Sequence, residues 1–290
     1  MRKWYSLVYF LLSSLLLVSI LYSISLKYYP KISLLQNKSI TIPSIKPSPT
    51  PFVFKTYAVP VIKKKQVYKI VMIGDSLTEA LGPHGGGLSD YMNLLYKESE
   101  QSPQRIIINN YAKSSSILAV NDELIQRVSI NGNTFGPLLF EDYDLILIES
   151  FGYNPLSQFG VQEGLMNQNL ALDSLVKTLI SANPHAAVVF VATIAPNIAN
   201  FAKATQPNDS AEDRAKAAGE RIEYLKNHIE YAKEHNIPVI NIYQKSLTEN
   251  GDGDRKYINP NDDIHPSFLG VDFIGREIGN FIYDNKILPK

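Results

Sequence analysis

Short apolar runs alternate with longer amphipathic stretches through most of this 290-residue chain. Five apolar runs predict β-strands at residues 69–73, 105–108, 145–149, 187–192 and 238–242. Apolar residues at helical spacing predict helices at residues 163–181 and 210–234, and a last helix is expected at residues 268–283. Strands joined by helices form a parallel sheet that is covered on both faces. We therefore predict a doubly wound, flavodoxin-like α/β/α fold of three layers.

A serine directly after the first strand and a histidine near the end of the chain form a candidate catalytic group. A serine nucleophile needs a base to accept its proton, and a histidine base needs a carboxylate to orient its ring. Asp262 and His265, three positions apart, supply both. Asp263 is the alternative carboxylate, but the three-residue offset favours Asp262. The sequence therefore predicts a catalytic triad of Ser76, Asp262 and His265.

The segments around these residues resemble sequence blocks of the GDSL or SGNH hydrolase family, which comprises esterases and related acyl-transfer enzymes. Gly74-Asp75-Ser76-Leu77-Thr78 matches the first block. Asp262 and His265 match the D-x-x-H pair of the last block, and Gly152-Tyr153-Asn154 matches the G-x-N of the third. The resemblance covers roughly residues 67 to 285. It implies a hydrolase that acts on ester bonds through an acyl-enzyme.

The same resemblance implies how the oxyanion of the reaction is bound. Its donors would be the Ser76 N–H and the side-chain amide of Asn154, with a further N–H from the second block. That block lies at residues 110–115, but it has no glycine where the family usually has one. Ser115 is the best match, and Ser114 is the alternative. The supporting residues are Gly74, Asp75 and Gly152, and Pro155 stands where the family usually has aspartate.

Composition and motif spacing exclude several other kinds of protein. The formal net charge is +0, which argues against nucleic acid as a partner. The chain has no cysteine, so a thiol nucleophile and a Cys-ligated metal are excluded, and the histidines show no metal-ligand spacing. We predict no metal and no other cofactor. An α/β-hydrolase fold is excluded because its G-x-S-x-G elbow is missing.

The N-terminal residues predict a membrane anchor. Residues 4–26 are uncharged and mostly apolar, long enough for a helix that crosses a bilayer, which needs roughly 20 residues. We predict a single-pass signal anchor at residues 1–29, a Pro/Ser/Thr-rich linker at residues 30–66 and a hydrolase domain at residues 67–290. The domain would be extracytoplasmic, or secreted if the first segment is removed.

These features together predict a membrane-anchored serine esterase. Its substrates would be esters or O-acylated compounds, such as acetylated cell-envelope glycans or lipids. One alternative is an O-acyltransferase that uses the same residues. Another is a binding module that has the fold but no activity. The sequence indicates neither the acyl-chain length nor the oligomeric state.

Overall fold

A computed structural model of the chain describes residues 56–97, 104–121, 127–130, 133–134, 138 and 141–290. The strands of the described part are β1 (Val67–Ile73), β2 (Arg105–Asn110), β3 (Ala119–Asn121), β4 (Arg127–Ile130), β5 (Asn133–Thr134), β6 (Leu145–Glu149), β7 (Ala187–Ala192) and β8 (Val239–Asn241). The helices are α1 (Ser76–Glu79), α2 (Gly87–Leu95), α3 (Val161–Ala182), α4 (Ala211–Glu234), α5 (Ile242–Lys245) and α6 (Phe268–Asp284). Short 3₁₀ turns lie at Ser157–Phe159 and Arg255–Tyr257.

Five parallel strands form the main sheet, in the order β2-β1-β6-β7-β8. Counting these five alone, the order is 2-1-3-4-5, which is the flavodoxin-like arrangement. The parallel sheet, its five strands and the three long helices are confirmed. The last strand is shorter than the predicted 238–242, because Ile242 already begins α5.

Side chains alternate between the two faces of the sheet and build a separate core on each. On one face, Met72 of β1 belongs to a cluster that includes Ile278 of α6. On the other face, the next residue, Val71, belongs to a cluster that includes Leu175 of α3. Successive residues of a strand point to opposite faces, so a strand of continuous apolar residues can be buried on both. The sheet is therefore the middle layer of three.

Parallel pairing brings the carboxyl ends of the strands to one edge of the sheet. Ile73 at the end of β1 pairs with Ile148 of β6, and Ile148 in turn pairs with Phe190 of β7. The segments that follow β1, β2 and β6 therefore begin side by side. In sheets of this kind, sites form beyond this edge. All the candidate residues of the first three sequence blocks lie on these segments.

A second, small sheet was not predicted from the sequence. Strands β3, β4 and β5 pair antiparallel in that order. They have 3, 4 and 2 residues, which is too short for a periodic pattern to stand out. Strand β3 follows the loop that contains Ser115, and strands β3 and β4 contact α3.

The predicted anchor at residues 1–29 lies outside the described residues, and only the end of the predicted linker, from Thr56, is described. Within the described part, no helix has both the length and the apolar character to cross a membrane. Tyr57 is buried, its N–H donates to His235 O (2.7 Å) and its hydroxyl accepts from Val188 N (2.7 Å). Ile62 is buried as well. These two apolar side chains of the predicted linker pack into the domain.

Candidate active site

Ser76 lies on a tight turn between β1 and the short helix α1. Asp75 is the N-cap of this helix, and its Oδ1 accepts a hydrogen bond from Leu77 N (3.0 Å). Ser76 is half-buried, whereas Asp75 and Leu77 on either side of it are buried. A side chain at Gly74 would place its Cβ 2.7 Å from Glu149 Cβ and 2.7 Å from Thr78 Oγ1. Only glycine therefore lets β1 pass so close to β6 before the chain turns at Ser76.

Asp262 and His265 form a hydrogen-bonded pair on the loop before α6. His265 Nδ1 lies 3.0 Å from Asp262 Oδ2. The other oxygen, Asp262 Oδ1, accepts the N–H groups of Ile264 (2.8 Å) and His265 (2.9 Å). The carboxylate is held from both sides, and the histidine side chain remains 38% exposed. This arrangement fixes the ring and leaves Nε2 free to act on another group.

Asp263, the alternative carboxylate, has a different role. Its side chain is buried and forms an ion pair with Arg255 (Oδ1 to Nη2, 3.1 Å). Its Oδ2 accepts a hydrogen bond from Ala204 N (3.2 Å). Asp263 also has a positive φ of 56°, which turns the chain between its two neighbours. It anchors the loop, and Asp262 is the carboxylate that contacts the histidine.

Among the described residues, no hydrogen bond joins Ser76 to His265. Hydrogen bonds between a nucleophile and its base are often long in a free enzyme and shorten in the substrate complex. The structure thus brings Asp262 and His265 together and leaves their contact with Ser76 as an expectation.

Asn154 lies on the turn after β6, and its side-chain nitrogen is available for a ligand. Asn154 Nδ2 is buried and has no hydrogen-bond partner among the described residues. The amide lies near the carboxyl group of Asp75 and favours its charged form, although no hydrogen bond of good geometry joins them. At Gly152, a Cβ would lie 3.2 Å from the Leu225 side chain, so a larger residue would push this turn away from α4. A buried donor without an acceptor needs a partner, and the oxyanion of a substrate is a suitable one.

The loop after β2 runs beside the nucleophile turn. Tyr111 N donates to Met72 O (2.8 Å) and Lys113 N donates to Gly74 O (3.1 Å), which extends the pairing of β2 with β1. A turn follows, closed by Ser116 N to Lys113 O (3.1 Å). Ser115 has a φ of 62°, a backbone region that favours glycine. The position therefore has the backbone conformation that a glycine adopts at least cost, and it is the position where the resemblance implied a glycine.

The hydrogen bonds of this loop distinguish the two serines. Ser114 N donates to Glu79 Oε2 (2.8 Å), and the Ser114 hydroxyl bonds to the same oxygen. Its N–H is therefore already engaged. No acceptor for the Ser115 N–H is present among the described residues. Ser115 is thus the better candidate for the second oxyanion donor.

The sequence analysis missed one polar residue at this edge of the sheet, Glu149. Glu149, the last residue of β6, is buried beside the equally buried Asp75. Burial, together with the Asp75 charge, raises the pKa of Glu149 well above its usual range. Burial also raises the pKa of Asp75 to about 6. The available signal was a glutamate that ends a strand of otherwise apolar residues, since charged residues are almost never fully buried without a partner.

Within the described residues, no group of three or more acidic, histidine or cysteine side chains could hold a metal ion. The site has a half-buried serine, an oriented imidazole, and a buried amide that lacks an acceptor. Together these groups match the requirements of acyl transfer through a serine nucleophile.

Comparison with known proteins identifies the family. The GDSL-like lipase/acylhydrolase family model matches residues 72–272, which is more than half of the chain. Curated protein sequences give no significant match. Among solved structures, a protein described as a GDSL-like lipase from Parabacteroides merdae is 15% identical and has a TM-score of 0.52. The alignment covers 79% of this chain and all of that one (100%). This likeness shows a common fold.

Two further structures have lower TM-scores. The lipase/acylhydrolase from Enterococcus faecalis is 17% identical, with a TM-score of 0.47 and coverage of 75% of this chain and 96% of that one. The acetylxylan esterase from Geobacillus stearothermophilus is 15% identical, with a TM-score of 0.43 and coverage of 74% and 94%. The family match rests on the sequence model, which spans all four blocks. This chain therefore belongs to the GDSL-like lipase/acylhydrolase family and is a hydrolase of ester bonds.

Proposed function

We propose that the protein is a serine esterase that uses Ser76 as nucleophile, His265 as general base and Asp262 as the carboxylate that orients His265. The observation that carries this proposal is the hydrogen bond of 3.0 Å between His265 Nδ1 and Asp262 Oδ2. With Nδ1 engaged in this way, Nε2 is the nitrogen that can accept a proton from serine. The carboxylate also stabilises the imidazolium that forms.

The first half of the reaction forms an acyl-enzyme. Ser76 Oγ attacks the ester carbonyl carbon while its proton passes to His265 Nε2. The carbonyl oxygen becomes an oxyanion, which accepts hydrogen bonds from the N–H groups of Ser76 and Ser115 and from the Asn154 amide. The C–O bond to the leaving alcohol then breaks, and the alcohol takes the proton from His265. Each oxyanion donor of this kind contributes roughly 2.7–4 kcal/mol in mutational tests.

The second half releases the acid. His265 removes a proton from water, the hydroxide attacks the acyl carbon, and Ser76 leaves with the proton returned by His265. An alcohol in place of water would transfer the acyl group instead. We therefore propose an ester or O-acylated compound as the substrate.

The test compares hydrolysis by the full-length chain, purified in detergent, with hydrolysis by two serine variants. Substrates are p-nitrophenyl acetate, butyrate and octanoate. Ser76→Ala should lower kcat/KM at least about a thousandfold. Ser181→Ala changes an exposed serine at the end of α3 and should leave the rate unchanged. Equal rates in wild type and Ser76→Ala would overturn the proposal, and equal rates at the uncatalysed background would favour a binding module. A sugar acceptor that diverts most acyl groups from water would instead indicate an acyltransferase.

We also propose that residues 1–29 anchor the domain to a membrane, with the domain outside the cytoplasm. The uncharged residues 4–26 support this proposal. Extraction of membranes at alkaline pH tests it, because a spanning helix stays with the lipid whereas a peripheral protein is released. Release of the chain under these conditions would contradict the anchor.

A further inference from the structure

Glu149 occupies a position that connects two parts of the candidate site. It ends strand β6 and is 2% exposed. Its Oε2 accepts a hydrogen bond from Asp75 N (3.2 Å) and another from Phe151 N (3.0 Å). Asp75 immediately precedes Ser76, and Phe151 begins the turn that leads to Asn154. One carboxyl oxygen therefore links the nucleophile turn to the turn that holds the oxyanion amide.

The conformation of the second turn makes this link important. Phe151 has a positive φ of 52°, a conformation that costs about 1–2 kcal/mol for a residue other than glycine. Its carbonyl accepts a hydrogen bond from Asn154 N (3.2 Å), so the position of Asn154 depends on Phe151. The bond from Phe151 N to Glu149 holds the first residue of this turn. Without an acceptor there, the turn would lose the contact that fixes its start.

Hydrogen-bond donors surround the carboxyl group of Glu149. None of the ion pairs among the described residues includes it. The Ser150 hydroxyl contacts Oε1. Burial and the neighbouring Asp75 raise the pKa of Glu149 above its usual range. A neutral group of the same shape could do the same work.

We propose that Glu149 is a positioning residue, which sets the distance between the Ser76 turn and the Asn154 turn by accepting hydrogen bonds from both. This inference rests on the proposed function, because it names the residue that holds the nucleophile and the oxyanion donor of that site at the correct distance. Glutamine can place its amide oxygen where Oε2 lies and accept both N–H groups, with its NH₂ directed to Ser150. Alanine can accept neither.

The test measures kcat and KM of full-length wild type, Glu149→Ala and Glu149→Gln with p-nitrophenyl acetate, together with the rate at which a fluorophosphonate labels Ser76. Glu149→Ala should lower kcat and the labelling rate about 100-fold, with KM within about threefold of wild type, since loss of one oxyanion contact costs this much. In Glu149→Gln, kcat and the labelling rate should both be at least tenfold higher than in Glu149→Ala. Glu149→Leu, which keeps most of the volume, replaces the alanine variant if the latter does not fold.

The matched control is Asp144→Ala, which removes a buried carboxylate from the other end of β6. It should lower the unfolding temperature without the loss in kcat. If Glu149→Ala and Asp144→Ala lower kcat equally, the role of Glu149 is only structural and the inference is wrong. If Glu149→Gln is as impaired as Glu149→Ala, the charge matters and the inference is also wrong.

An inactive wild type would refute the proposed function without deciding about Glu149. In that case, hydrogen exchange at the Asp75 and Phe151 amides tests the positioning role of Glu149. Both amides should exchange faster in Glu149→Ala than in Glu149→Gln. Equal protection in the two variants would overturn the positioning role, whatever the activity of the protein.

Discussion

Strand β6 has a buried carboxyl group at each end, and the two groups have opposite surroundings. Asp144, just before the strand, forms an ion pair with Lys65 Nζ (2.5 Å) and accepts a hydrogen bond from Lys69 N (3.0 Å). Glu149, at the end of the strand, has no cation among its described contacts and lies beside another carboxyl group, that of Asp75. The buried carboxyl group before the strand is thus paired with a cation, whereas the one at its end lies beside a second carboxyl group.

This difference separates the stabilising edge of the sheet from the functional edge. At the amino edge, Asn183 Nδ2 donates to Tyr143 O (2.9 Å), while the buried Gln104 Oε1 has no partner among the described residues. At the carboxyl edge, Asp75 Oδ2 and Asn154 Nδ2 are buried without partners among the described residues. A buried polar group without a partner costs about 1–3 kcal/mol of stability. At the carboxyl edge, a substrate can supply the missing partner.

The largest effect that tests this comparison is expected for Asn154→Ala. Removal of one oxyanion donor should lower kcat about 100- to 1,000-fold. The free energy of unfolding should change little, because the amide that is lost has no hydrogen-bond partner of good geometry among the described residues. Ester hydrolysis and urea unfolding measure the two quantities.

The control for Asn154→Ala is Asn183→Ala at the amino edge, where the amide donates to Tyr143 O. This variant should lose stability and keep its kcat. If Asn154→Ala were destabilised as much as Asn183→Ala and kept full activity, the two edges would not differ in the way we describe.

At the amino edge, Asp144→Ala should lower the free energy of unfolding by about 2 kcal/mol. The variant loses a hydrogen bond to a charged acceptor, worth about 1.5–3 kcal/mol. The ion pair adds little, because Lys65 is 45% exposed and its charge is screened by solvent. Asp142→Ala is the matched control: its side chain is 84% exposed and lies 3.7 Å from Lys69 Nζ. We expect that control to change stability by less than about 0.5 kcal/mol. A larger loss in the control than in Asp144→Ala would contradict the assignment.

The pH dependence of stability should also distinguish the two carboxyl groups. Burial raises the folded-state pKa of Asp75 to about 6, and that of Glu149 is raised as well. Folded protein therefore binds more protons than unfolded protein between about pH 4 and pH 6, and the free energy of unfolding falls as pH rises through this window. Glu149→Gln removes one of the two titrating groups. Its free energy of unfolding should therefore fall less than that of wild type as pH rises above about 4.

Urea unfolding of wild type and Glu149→Gln from pH 4 to pH 8 measures this effect. Glu163→Gln, which changes an exposed glutamate in the first turn of α3, is the control and should give a curve parallel to that of wild type. Parallel curves for Glu149→Gln and wild type would show that the buried pair does not set the pH dependence.

The sequence predicted the sheet well because buried parallel strands are continuous apolar runs. Strands β6 and β7 have the predicted bounds, residues 145–149 and 187–192. Strand β2 extends two residues further than predicted, to Asn110. This polar end continues the pairing with β1, where Asn110 pairs with Met72, but it does not continue the apolar run. Apolar patterns indicate where a strand is buried, and they miss residues that pair through the backbone alone.

The site was predictable in part, for a related physical reason. Asp262 and His265 are near neighbours in sequence, so their spacing alone predicts the contact. The contacts of Glu149 reach Asp75, 74 positions away, and no local pattern contains such a pairing. The choice between Ser114 and Ser115 likewise depends on Glu79, 35 positions from Ser114. Both distinctions come from the tertiary structure.

The smallest expected effect concerns strain at the functional edge. Ser115 has a φ of 62°, which costs a non-glycine residue about 1–2 kcal/mol. Ser115→Gly removes this strain but gives the unfolded chain more freedom, worth about 0.4–1 kcal/mol. The variant should therefore gain about 0.5–1 kcal/mol in unfolding free energy, and Ser115→Ala, which keeps the strain, should gain none. Both variants keep the backbone N–H, so each should hydrolyse p-nitrophenyl acetate. If the glycine variant is no more stable than the alanine variant, backbone strain at Ser115 does not lower the stability of the domain. Only the unpartnered polar groups would then destabilise the functional edge.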